Sequence, residues 1–437
     1  MMKIILVATA SFFLSAAAHA ASAPAPQPDP AELKATVQAL VDFGTRHSLS
    51  SATDPKRGIG AARRWAAGRF AEIGKACGGC ITVETVADRF TVPRAPDGVD
   101  IVDVLGIQRG TGDPGRVIII TAHIDSRVSD VMNATSDAPG ANDDGSGVAL
   151  VIEAARLLSK EKLDATIVYA LLSGEEQGLL GGVLLARTAK ARGWTVSGSF
   201  NNDIVGNSRG QDGRVVADRV RVFSEGIRAS EAADGAKARR GNGGEDDGPS
   251  RALAKAAVRV GAANPGIGLE VFAIRRPDRF GRGGDHLPML EAGYPAVRFT
   301  VGVENYDWQH QDLRTENGRV YGDTIDRMDF PYLARITALN VALARELARA
   351  PAAPAVVVAD GALATDTRLR WDAVPGAAGY RVHWRRADRS EWTDSRDTSA
   401  TEMVLPGVII DDHFVGVGSL SADGAESIVT FGGAAPR

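Results

Sequence analysis

The chain has 437 residues, of which 44% are hydrophobic and 24% are charged, and its formal net charge is −4. This length exceeds what one ordinary hydrophobic core accommodates, so we expect a soluble globular protein with two domains. The slight acidic excess argues against nucleic acid and anionic membrane surfaces as partners, because both attract basic proteins.

The first 20 residues have the composition of a secretory signal. Lys3 is followed by an apolar stretch at 4–14 and by small residues that end in A-H-A at position 20. This apolar run is about half of the roughly 20 residues that a membrane span needs. We therefore predict a signal peptide at 1–20, a periplasmic or extracellular protein, and no stable membrane insertion. Residues 21–30 are rich in Ala and Pro, and we expect a disordered linker there.

Two cysteines, Cys77 and Cys80, occur in the sequence C-G-G-C. They are compatible with a local disulfide, with a redox pair and with half of a zinc site. A zinc ribbon needs a second pair of ligands at matching spacing, and the chain has no further cysteine. Export to an oxidising compartment favours the disulfide.

Strand-like and helix-like segments alternate in the predicted larger domain at 31–350. Helical patterns lie at 31–41, 61–73, 145–158 and roughly 331–349, and strand-like patterns lie at 81–86, 102–107, 116–122 and 166–172. Continuous β-branched runs between helices indicate a mostly parallel mixed sheet that helices cover on both faces. A long polar stretch at 225–250 interrupts this order, and it is compatible with a functional rim or with disorder.

A linker of Ala and Pro separates this domain from residues 355–437, where only strand-like patterns occur. T-R-L-R-W, Y-R-V-H-W-R and F-V-G-V-G-S-L-S each alternate with a period of two. With Trp371 in an early strand and Tyr380 opening the next, this stretch resembles a fibronectin type III domain or a similar sandwich. We predict a small all-β sandwich, with substrate gating or contact with a cell surface or polymer as its candidate role.

Acidic and histidine residues follow the ends of the predicted core strands. They lie in H-I-D-S, A-N-D-D-G, S-G-E-E, N-N-D and the segment after 296–302, and the residues concerned are His123, Asp125, Asp143, Asp144, Glu175, Glu176, Asp203 and His310. Each group alone has an ordinary explanation as a turn, a helix cap or a surface residue. Ligand sites on open α/β sheets lie beyond the carboxyl ends of the strands, so we expect these groups to converge.

Imidazole and carboxylate are ligands that suit Zn²⁺ and similar divalent ions. Three carboxylates and two neutral imidazoles carry three negative charges, which two Zn²⁺ and one bridging hydroxide would balance. The ligands in this count are His123, Asp143, Glu176, Asp203 and His310. We therefore predict two Zn²⁺, with Co²⁺ and Mn²⁺ as alternative ions. Asp125 is well placed to orient the imidazole of His123.

Taken in order, H-I-D-S, A-P-G-A-N-D-D-G-S-G, G-E-E, N-N-D-I-V-G, G-D-H-L-P and the late histidine resemble the M28 zinc peptidases. The resemblance spans about residues 31–350. It implies that Asp143 bridges two zinc ions, which His123 with Asp203 and Glu176 with His310 complete. It further implies Glu175 as the general base, a cis peptide bond between Asp143 and Asp144, and supporting positions for Asp144 and Asp285.

Two positions depart from the family pattern. Gly284 precedes Asp285 where family members commonly have Ser, and Gln309 precedes His310 where many have a Tyr that stabilises the oxyanion. The identity of the oxyanion donor is therefore open, with Tyr306 as one substitute.

An acidic, metal-rich pocket would hold a free α-amine, so both the pocket and the resemblance favour an aminopeptidase. Its partners would be peptides with a free N-terminus, and Glu175 would take the proton of the metal-bridging water. Three alternatives stay open. One is a carboxypeptidase-type member, for which R-R-P-D-R-F-G-R at 275–282 supplies arginines; the others are a glutaminyl cyclase-like member with one zinc and a non-catalytic binding ectodomain.

Overall fold

An eight-stranded mixed sheet organises the larger part of the chain. The computed structural model describes residues 27–434, so the predicted signal peptide at 1–20 and most of the predicted linker lie outside the described residues. The strands of the sheet are β1 (Ile81–Val92), β2 (Ala95–Gln108), β3 (Asp113–His123), β4 (Ala165–Leu172), β5 (Thr195–Asn202), β6 (Arg219–Ser224), β7 (Glu270–Arg275) and β8 (Ala296–Val301).

The strands lie in the order β1-β2-β4-β3-β5-β8-β6-β7. The neighbours β4, β3, β5 and β8 are parallel, whereas β2 pairs antiparallel with β4, and β6 pairs antiparallel with β8. The carboxyl ends of the four central strands therefore lie at one edge of the sheet. The predicted mostly parallel mixed α/β sheet is confirmed.

Helices cover both faces of the sheet. They are α1 (Pro30–Val41), α2 (Ile59–Ala76), α3 (Gly145–Leu158), α4 (Leu180–Ala191), α5 (Ala233–Asn242), α6 (Pro249–Ala263), α7 (His286–Glu291) and α8 (Phe330–Arg349). One core cluster joins α1, α2, α3, α6 and α8 to the sheet, and a second joins α4 and α7 to its other face. None of the helices within residues 27–434 is both long and apolar enough to cross a membrane.

The central strands and α3 follow from local sequence. All eight residues of β4 are buried, as expected for a strand whose two faces both pack against helices. The helix α3 begins after Asp144, whose side chain accepts a hydrogen bond from the backbone N–H of Gly147. This cap satisfies one of the free N–H groups of the first turn. The same loop carries Asp143, so the helix start and the candidate site share one turn.

Two short strands, β9 (Arg314–Glu316) and β10 (Arg319–Tyr321), pair with each other before the C-terminal part begins. The described residues of the C-terminal part form seven further strands. Its strands are β11 (Val357–Asp360), β12 (Thr367–Trp371), β13 (Gly379–Arg386), β14 (Asp394–Thr398), β15 (Glu402–Leu405), β16 (His413–Leu420) and β17 (Thr430–Gly433), arranged β14-β13-β16-β17-β11-β12-β15. Trp371 and Tyr380 pack edge to face in its core, with ring centroids 5.3 Å apart. The β-rich architecture is as predicted, and the fibronectin type III assignment stays a prediction.

The polar stretch at 225–250 is part of the contact between the two regions. It forms α5, none of whose residues is buried, and then turns back through Gly243 and Gly244 into α6. A side-chain carbon at either glycine would lie 2.8 Å from the ring of Phe414 or Phe431 in the C-terminal part. The segment therefore packs closely against the C-terminal strands.

Cys77 and Cys80 form a disulfide between the end of α2 and the start of β1. The two residues between them, Gly78 and Gly79, have φ values of +76° and +91°. These values lie in the left-handed region that glycine adopts without a steric penalty. The structure thus pairs the two cysteines in the way that C-G-G-C and an oxidising compartment favour.

Candidate metal centre

Five acidic or histidine side chains reach the carboxyl edge of the sheet from different elements. His123 is the last residue of β3, Asp203 directly follows β5, and Glu176 lies in the loop after β4. Asp143 comes from the loop before α3, and His310 comes from the loop after β8. Because the central strands are parallel, their ends bring these predicted residues together.

Asp143 offers one carboxylate oxygen to each of two clusters. Its Oδ1 lies 3.1 Å from His123 Nε2, which is 4.0 Å from Oδ1 of Asp203. Its Oδ2 lies 2.8 Å from His310 Nε2, which is 2.9 Å from Oε1 of Glu176. Within each cluster the ligand atoms all lie within 4.8 Å of one another. We call the clusters the His123 half and the His310 half of the metal centre.

The donor atoms of both halves fit a divalent ion. Two buried ligand atoms, His123 Nε2 and Glu176 Oε1, make no hydrogen bond within residues 27–434, although another ligand atom lies 3.1 or 2.9 Å away. A buried polar atom without a partner costs about 1–3 kcal/mol unless something binds it. Imidazole nitrogen and carboxylate oxygen are the donors that Zn²⁺ takes in proteins. Each half is therefore suited to hold one such ion.

Asp125 and Asp144 hold His123 and Glu176 in place through contacts of their carbonyl and carboxylate oxygens. The carbonyl of Asp125 lies 3.1 Å from His123 Nδ1, and its carboxylate accepts the N–H groups of Glu175 and Glu176 at 3.3 and 3.2 Å. Asp144 accepts the N–H of His123 at 3.2 Å. The peptide bond between Asp143 and Asp144 is cis, as the family resemblance implies.

Asp285 has a different partner from the other supporting residues. Its Oδ1 accepts the N–H of Gly182 at 3.2 Å, so its hydrogen bond goes to the first turn of α4. Burial raises the pKa of the Asp285 carboxyl to about 7. Among the described contacts, no hydrogen bond joins Asp285 to a predicted metal ligand, although the sequence places it among the supporting residues.

Asp323 is a supporting residue that the sequence analysis missed. Its carboxylate accepts the N–H of Asp143 at 2.7 Å and the N–H of Asn142 at 2.9 Å. Burial raises the pKa of the Asp323 carboxyl to about 7. Asp323 thereby fixes the turn that presents the shared ligand. The surrounding sequence Y-G-D-T-I carries no spacing signal for this role, because the contact joins segments 180 residues apart.

Two arginines beside the ligands were also missed. Arg298 Nη2 lies 2.8 Å from Oδ1 of Asp203, and Arg127 Nε lies 2.7 Å from Oε2 of Glu176. Both add positive charge beside carboxylates that the sequence analysis counted as ligands. The charge count of three carboxylates against two Zn²⁺ leaves out these two guanidinium groups. The count therefore does not show whether the site would hold one ion or two.

The adjacent acids Glu175 and Glu176 have different environments. Glu176 is buried and is held by Arg127 and His310. Glu175 is only half-buried, and no residue within 27–434 donates a hydrogen bond to its carboxylate. Burial raises the pKa of the Glu175 carboxyl well above its ordinary value, and the neighbouring Glu176 adds to this effect. The carboxylate of Glu176 is therefore held by its neighbours, whereas the carboxylate of Glu175 is free to exchange a proton.

The residues that depart from the family pattern have defined positions. Gln309 Nε2 lies 3.3 Å from Asp143 Oδ2, next to the shared ligand. Tyr306 is 52% exposed, with the Arg282 guanidinium 5.5 Å from its ring centre. His286, which follows Gly284 and Asp285, contacts the carbonyl of Pro277 at 2.5 Å rather than a metal ligand. Burial lowers the pKa of His286 to about 4.

A mixed α/β sheet that presents paired clusters of histidine and carboxylate at the ends of its parallel strands defines a metal-dependent hydrolase. Curated relatives agree with this class. A probable zinc metalloprotease of Leptosphaeria maculans is 44% identical over 401 residues, covering 90% of this chain and 92% of the relative. Another, from Pyricularia oryzae, is 41% identical over 417 residues, covering 92% of this chain and 82% of the relative. The chain belongs to peptidase family M28.

The family model, Peptidase family M28, matches residues 103–240, which include His123, Asp143, Glu175, Glu176 and Asp203. The similarity to the Leptosphaeria maculans protein extends further. It leaves only a tenth of the 437 residues uncovered, which is fewer than the 83 residues at 355–437. The relative therefore resembles this chain in the C-terminal part as well.

Solved structures share the fold of the larger domain. A leucine aminopeptidase precursor from Bacteroides thetaiotaomicron superposes with a TM-score of 0.52 at 18% identity, covering 74% of this chain and 98% of that chain. LapB from Legionella pneumophila gives a TM-score of 0.51 at 17% identity, covering 72% of this chain and 71% of that chain. At these identities the likeness concerns the fold alone.

Proposed function

We propose that this protein is a zinc-dependent aminopeptidase with one Zn²⁺ in each half of the metal centre. The observation that carries the proposal is Asp143, whose two oxygens face one histidine of each half at 3.1 and 2.8 Å. The free carboxylate of Glu175 beside this pair supplies a proton acceptor. Relatives described as probable zinc metalloproteases support zinc as the ion and peptides as the substrate class.

Glu175 carries the proton in the proposed reaction. Zinc bound in the two halves would polarise the scissile carbonyl and make a water molecule more acidic. Glu175 accepts the proton of the attacking water and returns it to the leaving amine, a role worth typically about 10²–10⁴-fold. Successive residues leaving a strand point in different directions, so Glu176 can bind an ion while Glu175 faces the water.

The charges around the centre favour a substrate with a free amine. Asp143, Glu175, Glu176 and Asp203 converge on one edge of the sheet, and an α-ammonium group is attracted to such a group of carboxylates. Three of the four arginines at 275–282, the candidates for binding a substrate carboxylate, are already paired with acids. Arg279 and Arg282 contact Glu304 at 3.5 and 2.9 Å, and Arg275 contacts Asp246 at 3.2 Å. These pairings support an aminopeptidase over a carboxypeptidase.

The different roles of the two adjacent acids give the first test. Glu175→Gln is expected to abolish hydrolysis of an amino-acyl fluorogenic substrate while both equivalents of zinc stay bound. Glu176→Ala is expected to lower the zinc content, because Glu176 supplies a ligand atom to the His310 half. Metal content by mass spectrometry and hydrolysis rates measure the two effects. Activity retained in Glu175→Gln would exclude Glu175 as the general base.

Substrates with blocked and free N-termini separate the aminopeptidase from its rivals. We expect hydrolysis of free amino-acyl substrates and none of the same substrates carrying an N-acetyl group, since the block removes the positive charge. Equal hydrolysis of both forms would contradict the aminopeptidase assignment while leaving the metal centre intact.

We also propose that the protein is exported. The composition of residues 1–20 supports this, and so does the disulfide between Cys77 and Cys80, because disulfides persist in oxidising compartments. N-terminal sequencing of the protein from cell fractions tests the proposal. The expected result is a chain that begins near Ala21 in the periplasm or medium, and an uncleaved chain confined to the cytoplasm contradicts it.

A further inference from the structure

The outermost strand of the large sheet has a free edge. The strand β7 is last in the strand order, and in the described part of the chain it pairs only with β6. Glu270 donates its backbone N–H to the carbonyl of Asp218, just before β6, at 2.7 Å. Alternate residues of a strand direct their backbone groups to the same side, so those of Val271, Ala273 and Arg275 point away from β6. Such a row of free N–H and C=O groups is a template for another strand.

The two faces of β7 are covered differently. Val271 and Ala273 pack against the core cluster that includes α6. Phe272 and Ile274 lie on the other face, and among the described residues they belong to no core cluster. Phe272 is 47% exposed, and the Arg219 guanidinium, 5.4 Å from its ring centre, lies over one side of it. The free edge of β7 therefore carries an apolar face that the chain itself leaves open.

Opposite charges stand at the two ends of this face. Glu270 opens β7, and Arg276 directly follows it, with a carbonyl that accepts the N–H of Ser224 in β6 at 3.0 Å. Within residues 27–434 Arg276 forms no ion pair, and its guanidinium lies 5.7 Å from the ring centre of Phe280. Glu270 pairs with Arg219 at 2.7 Å in an exposed contact. A strand with an acid at one end and a cation at the other is complementary to a second copy of itself that runs in the opposite direction.

The charges distinguish between the two antiparallel registers that pair the whole of β7 with a second copy. With Ala273 on the two-fold axis, Phe272 faces Ile274 of the second copy, and Glu270 faces Arg276 of the second copy. With Phe272 on the axis, Glu270 faces Ile274 of the second copy, and Arg276 stays without an acid. Opposite charges across a strand pair stabilise it, so the register with Ala273 on the axis is favoured.

We infer that β7 is a dimerisation surface whose partner is β7 of a second copy of this chain, antiparallel to it about a two-fold axis at Ala273. The pairing joins two eight-stranded sheets into one continuous sheet. It satisfies the free backbone groups of both edges, covers Phe272 and forms two ion pairs between Glu270 and Arg276. Because each copy contributes the same surface, assembly stops at two chains. Dimerisation through β7 is independent of the proposed peptidase activity.

Sedimentation equilibrium of the full-length protein between about 1 and 100 µM measures the association. The wild-type protein is expected to approach twice the mass of one chain. Arg276→Glu places two acids opposite each other at both ends of the paired strands, so it is expected to raise the dissociation constant at least about tenfold. Glu270→Arg combined with Arg276→Glu restores opposite charges, and its dissociation constant is expected within about threefold of the wild-type value.

Ala273→Pro removes the N–H group at the centre of the pairing. That group faces away from β6, where proline leaves the hydrogen bonds of the sheet intact, so the dimer alone is expected to weaken, by at least about tenfold. Arg368→Glu is the matched control, since it reverses a charge on a strand of the C-terminal part where the side chain is 52% exposed. Its dissociation constant is expected to equal that of the wild type. Thermal unfolding shows which variants are folded, and the charge exchange decides the matter should Ala273→Pro not fold.

Cross-linking tests the register. In Ala273→Cys the two new thiols face each other across the axis with Cα atoms about 5.5 Å apart, so oxidation is expected to link the chains. Cys77 and Cys80 are bonded to each other, so only the new thiol reacts. Phe272→Cys is expected to give little linked dimer.

A wild-type protein that stays monomeric at about 100 µM would overturn the inference. So would a dimer that folded Arg276→Glu leaves unchanged, one that the charge exchange fails to restore, or one that Arg368→Glu weakens equally. Cross-linking through position 272 and not through 273 would overturn the register. A protein without zinc or hydrolytic activity would refute the proposed function alone, because the mass of the assembly is measured without substrate.

Discussion

Gln309 is the residue beside His310 whose side chain reaches the shared metal ligand. Its amide nitrogen donates a hydrogen bond to Oδ2 of Asp143 at 3.3 Å, and its second N–H group is available to an oxygen atom that develops charge nearby. Tyr306, the substitute considered from the sequence, is half exposed and packs against Arg282. We therefore predict that Gln309, rather than Tyr306, donates to the oxyanion.

Gln309→Ala is accordingly expected to lower kcat by about 10²-fold, the typical effect of removing one such donor. KM should change little, because the donor acts on charge that develops in the transition state. Steady-state kinetics on an amino-acyl substrate measure both constants, with zinc content as the control. Tyr306→Phe is the comparison and is expected to behave like the wild type. A larger loss in Tyr306→Phe than in Gln309→Ala would assign the donor to Tyr306.

At the residue scale, the sequence predicted which acids and histidines come together better than it predicted the groups that hold them. His123, Asp143 and Glu176 stand in local motifs at strand ends, and topology then brings such ends together. Arg127 lies next to a motif, but its contact with His310 spans 183 residues of sequence. Contacts of this range follow from the packing of whole elements, so no local spacing encodes them.

At the scale of elements, the polar segment after β6 contacts the C-terminal part of the chain. From its sequence, 225–250 was compatible with a rim or with disorder. In the structure Asp247 is buried and lies 2.7 Å from Lys255 of α6 and 2.5 Å from Arg385 of β13. The preceding Asp246 accepts a hydrogen bond from Ser390 at 2.7 Å. Polar composition was misleading here because the partners of these acids lie in the other part of the chain.

Asp247→Ala is expected to lower the free energy of unfolding by about 3 kcal/mol, because it leaves Lys255 and Arg385 buried without their main carboxylate. We expect a loss at the lower end of the usual range for a broken buried ion pair, because Asp246 remains 3.3 Å from Lys255. Urea unfolding followed by fluorescence measures the change. Asp234→Ala, on the exposed helix α5, is the matched control and should stay within about 0.5 kcal/mol of the wild type. If Asp247→Ala were as stable as Asp234→Ala, the ion pairs of Asp247 with Lys255 and Arg385 would have no structural role.

The limits of sequence-based prediction differ between elements. The helix predicted at 145–158 is α3 with the same bounds, since both its cap and its apolar spacing are local. The strand predicted at 81–86 continues to Val92 in β1. Most residues of β1 beyond Ile81 are partly or fully exposed, and its pairing with β2 determines its length. A strand without a buried face leaves only a weak hydrophobic pattern to find.

At the scale of the whole molecule, a second buried ionic group joins the two parts of the chain. Glu426, in the loop before β17, is fully buried and lies 2.6 Å from His383, 3.0 Å from Arg381 and 3.7 Å from Arg259 of α6. Its backbone N–H also donates to Glu346 of α8 at 3.0 Å. The C-terminal part is therefore bound to the larger domain through charges that burial strengthens.

Because of Glu426, the stability of the folded protein depends on pH. Burial alone would raise the pKa of Glu426, but the hydrogen bond from His383 and the charges of Arg259 and Arg381 outweigh it and lower the pKa from 4.5 to about 2. A carboxyl whose pKa is lower in the folded state stabilises that state fully above its unfolded pKa. This stabilisation is lost as the pH falls from about 4.5 through 2, and the shift corresponds to about 3 kcal/mol at neutral pH.

Glu426→Gln should therefore destabilise the full-length protein by about 3 kcal/mol at pH 7, and the difference from the wild type should shrink as the pH falls below about 4.5. Urea unfolding at a series of pH values measures this difference directly. Glu391→Gln removes an exposed carboxylate in the same part of the chain and controls for the loss of one negative charge. A difference between Glu426→Gln and the wild type that stays constant down to pH 2 would show that Glu426 stabilises the contact by packing rather than by charge. The two parts of the molecule would then be held together without the ionic group.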